Sequence, residues 1–192
     1  MARIQEPSYE TTVRDGDYEV RHYPSRIVAE TEVTSRDWSA SGNEGFRRLA
    51  SYIFGKNRKR TKIAMTAPVG QRPTTGVKLA MSAPVGQRRD HDRWIVSFAM
   101  PTESTLSTLP EPEDPRVVLR ERPSHEVAVV KFSGRWTDAN MERRTEALRK
   151  WVTSRGLEIV GEPEVNRYDP PFKPWFLRRN EVCIPVSPPP SV

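Results

Sequence analysis

The chain has 192 residues, 35% of them hydrophobic, with 18 prolines and a formal net charge of +6. This length fits one ordinary domain, and the prolines, each of which removes a backbone donor, exclude a bundle of long helices. The single cysteine, Cys183, excludes an intrachain disulfide and a thiolate metal site and fits a reducing, cytoplasmic setting.

From the N-terminus, the polar segment Met1–Tyr9 has no apolar h-region, so no signal peptide is expected. No apolar run reaches the ~18 residues of a membrane span. Strands are expected at Tyr18–Val20 and Ile27–Val33, where β-branched and aromatic residues lie between Pro, Gly and Asp. A helix is expected from about Gly42 to Phe54. Ser41 and Glu44 form a capping box, Phe46, Leu49, Ala50 and Ile53 share one face, and Gly55 ends it.

The basic run Lys56–Lys62 follows this glycine without interleaved aromatic residues. It reads as a solvated loop, and no nucleic-acid partner is expected. Strands at Lys62–Val69 and Val77–Val85 carry a close repeat. Ile63–Arg72 matches Leu79–Arg88 at eight of ten positions, which reads as two neighbouring strands joined by the Pro73–Gly76 turn, with Pro68 and Pro84 where no ladder donor is needed.

A strand at Trp94–Met100 precedes a proline-rich crossing, Pro101–Pro115. Strands at Val117–Arg122 and Val127–Phe132 follow. The second helix runs from Asp138 to Ser154, with Thr137 as N-cap, Met141, Thr145, Leu148 and Val152 facing inward, and Gly156 closing it. The last strand is Asn180–Val186, and residues 187–192 form a flexible proline-rich tail.

A coarser repeat relates Arg21–Ala29 to Arg120–Ala128, with five identities in nine positions. Each copy leads into a helix and then into further strands. The predicted class is α+β, a single domain over residues 1–186. Its two β-rich halves, about 8–100 and 116–186, form a pseudo-twofold antiparallel sheet or distorted barrel, each packed with one helix. The crevice between the halves is the expected pocket.

Catalytic signatures are missing. There is no G-x-G-x-x-G, P-loop, H-E-x-x-H or G-x-S-x-G, and His22, His91 and His125 are scattered, so binding is expected rather than catalysis. Met65, Met81 and Met100 stand in equivalent contexts, where polarizable thioethers suit a planar ligand or simply fill the core. Phe172, Trp175 and Phe176 stand beside Lys173, Arg178 and Arg179, a composition that suits a flat ligand with carboxylate edges or a well-packed loop.

Several motifs occur together and in order across residues 8–186. They are Tyr18-Glu-Val-Arg-His-Tyr23, Phe46 through Asn57, the doubled Ala-Met-Thr/Ser-Ala-Pro-Val segment, Phe98-Ala-Met-Pro101, Phe132-Ser-Gly134, Tyr168-Asp-Pro-Pro171 and Arg178-Arg-Asn-Glu-Val182. With them the chain resembles the SOUL haem-binding protein family. The resemblance implies a pseudo-twofold fold shared with GyrI-like effector-binding domains, and non-covalent binding of haem or a related tetrapyrrole as carrier, buffer or sensor.

It also implies a candidate haem-binding set: His22, Arg47, Arg48, Met65, Met81, Lys173 and Trp175. Lys173 matches the family lysine near the haem propionates. On the first helix the family's basic positions are Asn43 and Ser51 here, with Arg47 and Arg48 nearby. His22 is the candidate axial ligand to haem iron, since it lies in a family-like segment and shares a strand face with Val20. A second reading is a GyrI-like site for organic cations with Glu181 as counter-charge, against which Glu181 pairs with Arg178 or Arg179. A third is a tetrapyrrole-modifying or hydrolytic enzyme on the same fold. A monomer with a small-molecule partner is expected.

Overall fold

The computed structural model describes residues 5–35, 37–73, 93–169 and 172–188. In chain order the elements are β1 (Glu10–Asp15), β2 (Tyr18–Tyr23), β3 (Arg26–Thr34), α1 (Trp38–Ile53), β4 (Val69–Pro73), β5 (Arg93–Ala99), β6 (Val117–Arg122), β7 (His125–Phe132), α2 (Asp138–Ser154), β8 (Glu158–Ile159), β9 (Glu164–Arg167) and β10 (Asn180–Ser187). A 3₁₀ turn, Trp175–Leu177, precedes β10. The strands form one ten-stranded sheet in the order β1-β2-β7-β10-β9-β4-β5-β3-β6, with β8 also on β10, and every strand pairing in it is antiparallel.

Strand alternation decides which face the helices cover. On β3 and β5, Ile27, Ala29, Val96 and Phe98 meet Leu49, Tyr52 and Ile53 of α1. On β7 and β10, Ala128, Val130, Val182 and Ile184 meet Met141, Leu148 and Val152 of α2. Both helices therefore lie on one face. The residues between these positions, such as Val28, Ser97, Val127 and Cys183, point to the other face, where the crevice lies.

α2 has the bounds, the Thr137 cap and the buried Met141, Leu148 and Val152 that its sequence predicts. α1 begins four residues earlier than predicted. Asp37 is its N-cap and accepts from the Ala40 amide at 2.9 Å. Ser41 lies inside the first turns and donates to the Trp38 carbonyl, while Glu44 pairs with Arg47 and Arg48, so the predicted capping box does not form. Helix α1 also approaches the sheet closely: a Cβ on Gly45 would lie 2.4 Å from Val96 Cγ2.

The predicted strand Lys62–Val69 is corrected to irregular chain that joins the ladder only at Val69. Polar anchoring replaces the ladder there: the Ala67 amide donates to the Gln5 carbonyl at 3.0 Å, and the Thr66 hydroxyl donates to the Ala99 carbonyl. The predicted strand Val77–Val85, with Met81 and Pro84, lies outside the described residues, as does His91.

Candidate functional site

The sheet order reads the same from both ends once β1 is set aside. β2-β7-β10-β9 is answered by β6-β3-β5-β4. Registers make the match residue by residue. Tyr23 pairs with His125 across β2 and β7, and Arg122 pairs with Arg26 across β6 and β3. Val127 pairs with Pro185, and Val28 with Ala99. The two halves meet where Gln71 pairs with Val165, and the pseudo-twofold axis passes through that pair. The Arg21–Ala29 and Arg120–Ala128 repeat is thus a structural equivalence.

The crevice straddles this axis on the face away from the helices. It is a cavity of about 390 Å³, within the usual size of a small-molecule site. Its walls come in equivalent pairs: Tyr23 with Arg122, Arg26 with His125, Ser97 with Cys183, and Arg72 with Asn166. Gly70, the counterpart of Glu164, leaves room for that carboxylate, since a Cβ there would lie 2.4 Å from Glu164 Oε1.

Most charge in the crevice is matched. Arg122 donates to Glu30 at 2.9 Å and to Glu164 at 3.0 Å, and Arg72 approaches the same two carboxylates at 3.4 and 3.9 Å. Burial pushes the Glu164 carboxyl up, but Arg122, Arg72 and Arg26 outweigh it and hold the group below the ordinary carboxylate range. Arg26 differs. Its guanidinium lies 4.5 Å over the Tyr23 ring, and its Nη1 is buried without a hydrogen-bond partner. Burial and then the neighbouring Arg122 lower its pKa. Asn166 donates to the Cys183 sulfur at 3.2 Å, while its Oδ1 is buried and unpartnered. His125 is pushed down by burial, and its Nδ1 lies 2.7 Å from the Pro123 carbonyl.

Beside the crevice lies a buried ionic network. Arg21 is completely buried and holds Glu181 through two bonds of 2.8 and 3.0 Å, and Glu19 through one of 2.8 Å. Tyr168 donates to Glu181 at 2.6 Å, Arg179 reaches it at 3.1 Å, and the Tyr9 ring covers Arg21 at 4.2 Å. Burial raises the Glu181 carboxyl, but the arginines and Tyr168 more than reverse this and leave it below the ordinary range. Glu181 is therefore already neutralised, mainly by Arg21, and is not a free counter-charge for an organic cation.

The other predicted site residues do not converge on one place. His22 is half-buried near the end of β2, with Nε2 3.1 Å from the Ser124 hydroxyl. Its strand partner, Glu126, lies six residues along β7 from Phe132, which pairs with Asn180 just after the Trp175 turn. At ~3.3 Å per residue this puts His22 ~20 Å from that end of the sheet. A single haem does not take both His22 and Trp175. Arg47 and Arg48 on α1 pair with Glu44 at 2.7 and 2.9 Å, and Arg48 also donates to the Glu32 carbonyl. Met65 is half-buried against the core cluster under α1, where Met100 is fully buried.

Lys173 pairs with Asp169 at 2.7 Å. Around it Phe172, Trp175, Phe176 and Leu177 are 87%, 47%, 57% and 58% exposed, four large apolar side chains within six residues. Arg135 lies 5.5 Å over the Trp175 ring. This platform is tied to the start of α1 by alternating cations and rings. Arg178 lies over Trp136 at 4.4 Å, and Arg167 lies over both Trp136 and Trp38, at 5.0 and 4.9 Å. Burial pulls the Arg167 pKa down to about 10. Lys173 and Trp175 belong to the set expected from sequence, whereas Arg26, Arg72, Arg122, Glu164 and Asn166 of the crevice do not. The coarse repeat was the signal that could have found the first and third, because it sets Arg26 against His125 and Arg122 against Tyr23.

A family model described as SOUL heme-binding protein matches residues 4–185. Human heme-binding protein 2 is 35% identical over 119 residues, which is 62% of this chain and 53% of that protein, so that alignment spans about half the length of the human relative. Mouse heme-binding protein 2 is 30% identical over 178 residues, 88% of this chain and 82% of the mouse protein. Among solved structures, the C-terminal domain of EcmrR aligns with a TM-score of 0.65 at 13% identity, covering 94% of this chain and 98% of that one. A hydrolase from Listeria innocua aligns with a TM-score of 0.59 at 12% identity, covering 92% and 94%. At such identities the likeness is one of fold.

Proposed function

The chain belongs to the SOUL haem-binding protein family, and from that premise we propose that it binds haem or a related tetrapyrrole non-covalently, as a carrier, buffer or sensor. The observation that carries the site is the exposed platform of Phe172, Trp175, Phe176 and Leu177 with Lys173 and Arg135 at its edge. Apolar side chains left together in water mark an interaction surface. A tetrapyrrole brings a flat apolar body to the rings and carboxylate edges to the cations, which form charge-assisted hydrogen bonds. Bound haem would supply the iron centre, while the chain's own residues hold the macrocycle and shield one face from water. Lys173 exchanges its Asp169 partner for a propionate at little cost, because the pair is partly exposed.

The names of the curated relatives support binding rather than turnover. The test is titration of the apo-protein with hemin, followed by the Soret band. Lys173→Glu and Trp175→Ala are each expected to weaken binding by about tenfold, near the worth of one charged hydrogen bond or one aromatic contact. Added salt is expected to weaken the wild type. Unchanged affinity in both variants moves the site elsewhere, and conversion of the porphyrin on incubation overturns the reading of binding alone.

A further inference from the structure

We propose that the crevice on the pseudo-twofold axis is a second ligand site, distinct from the tetrapyrrole platform, for a flat organic carboxylate that also carries an N–H or O–H donor. Buried polar groups in folded proteins are almost always paired, so unpaired ones facing a cavity call for a partner. Two such atoms belong to residues that line this crevice: Arg26 Nη1, a donor on a cation, and Asn166 Oδ1, an acceptor on a residue only 7% exposed. They are complementary in kind. A carboxylate satisfies the first, and a ligand donor satisfies the second.

The unpaired donor of Arg26 sets the sign of the ligand. Arg72 and Arg122 are bonded to Glu30 and Glu164, and Glu162 also lines the crevice, whereas the face of Arg26 rests on the Tyr23 ring and its Nη1 lacks an acceptor. A ligand carboxylate supplies the acceptor that Arg26 Nη1 lacks, whereas a ligand cation would offer it none and would meet Arg26, Arg72 and Arg122. Val28, Val127, Ala99 and Pro185 supply an apolar wall for the body of the ligand. The cavity, about 390 Å³, suits a molecule of one or two rings.

The probe is indole-3-acetate, a carboxylate on a flat apolar body with one N–H, measured by isothermal titration. Tryptamine, with an ammonium in place of the carboxylate, is the counter-probe. One saturable site for indole-3-acetate is expected, with tryptamine at least tenfold weaker. Arg26→Gln is expected to weaken indole-3-acetate by tenfold or more, and Asn166→Ala by several-fold, while both variants keep the wild-type hemin affinity. In the wild type, the amide shifts that follow indole-3-acetate should centre on Ser97, Asn166 and Cys183, a readout that needs no variant to fold.

No saturable binding at millimolar probe overturns the proposal, as does tighter binding of tryptamine. Loss of indole-3-acetate binding in Phe172→Ala places the anion on the platform and overturns the crevice site. Loss of hemin binding in Arg26→Gln shows one shared site and overturns the claim of a second.

Discussion

At the scale of single residues, a buried ionic cluster centres on Arg21, which bonds both Glu181 and Glu19. Glu181 and Arg21 are both completely buried, and each satisfies the other. Removing one partner leaves an uncompensated buried charge, which typically costs ~3–5 kcal/mol. Glu181→Gln is therefore expected to lower stability in urea unfolding by about 3 kcal/mol. The same pair makes stability depend on pH. The folded-state pKa of Glu181 is depressed below 4.5, so its contribution is complete above that value and is lost as pH falls through the depressed one. The acid limb of an unfolding series should flatten in Glu181→Gln, and an unchanged limb would show that another carboxylate governs it. Arginine partners adjacent in sequence pointed to ion pairing of Glu181, and Arg179 does pair with it. The main partner, Arg21, is 160 residues away, and no local pattern reports a contact of that separation. That His22 shares a strand face with Val20 was legible, but its distance from the aromatic platform was not. His22→Ala is expected to leave the ferric spectrum and hemin affinity unchanged. A lost Soret shift in that variant would place the tetrapyrrole at the other end of the sheet.

At the scale of elements, legibility followed the polarity of the face that each element presents. Strands β3, β5, β7 and β10 bury apolar side chains against a helix and announce themselves by β-branched residues. Strands β4 and β9, Val-Gly-Gln-Arg-Pro and Glu-Val-Asn-Arg, turn Gly70, Arg72, Glu164 and Asn166 into the crevice. Val69–Arg72 is legible as strand only through the repeat that it shares with Val85–Arg88, and Glu164–Arg167 carries no strand signal. The crevice hides its own walls, because a strand that serves a polar site lacks the alternation that identifies strands. Helix α1 shows the opposite case. Its amphipathic stripe was plain, but its start was placed late because Ser41 and Glu44 imitate a cap that Asp37 provides. Gly45 is the position where α1 touches the sheet. Alanine there gains up to ~1 kcal/mol of helix propensity. It also drives a methyl into Val96, which is wholly buried on a central strand and has nowhere to move. Overpacking of this kind costs ~1–3 kcal/mol, so Gly45→Ala is expected to lower the melting temperature by several degrees. Asn43→Ala, on the exposed side of the same helix, serves as the control and should change it little.

At the scale of the whole molecule, the repeat does more than create symmetry. The first strand of each unit is exchanged: β2 joins β7 of the second unit through six residue pairs, and β6 joins β3 of the first through another six. The direct seam between the halves, β4 on β9, contributes only three. Most of the backbone pairing that holds the halves together thus comes from strands that have left their own half. A unit cut from the chain loses a partner along β2 and also along β3, and exposes the apolar residues that these pairings cover. We propose that residues 5–188 fold as one cooperative unit. A fragment of residues 1–103 is expected to be unfolded by circular dichroism, and so is a fragment of residues 104–192. Mixed in equal amounts, they should regain the far-ultraviolet spectrum of the intact chain. The intact chain should unfold in one transition, with near- and far-ultraviolet signals coinciding. A stable fold in the first fragment alone, or two separated transitions in the intact protein, would mean that the exchanged strands do not couple the halves. The crevice would then be a joint between two independent bodies, free to open, rather than a cavity whose walls are fixed by the same strands that bind the halves together.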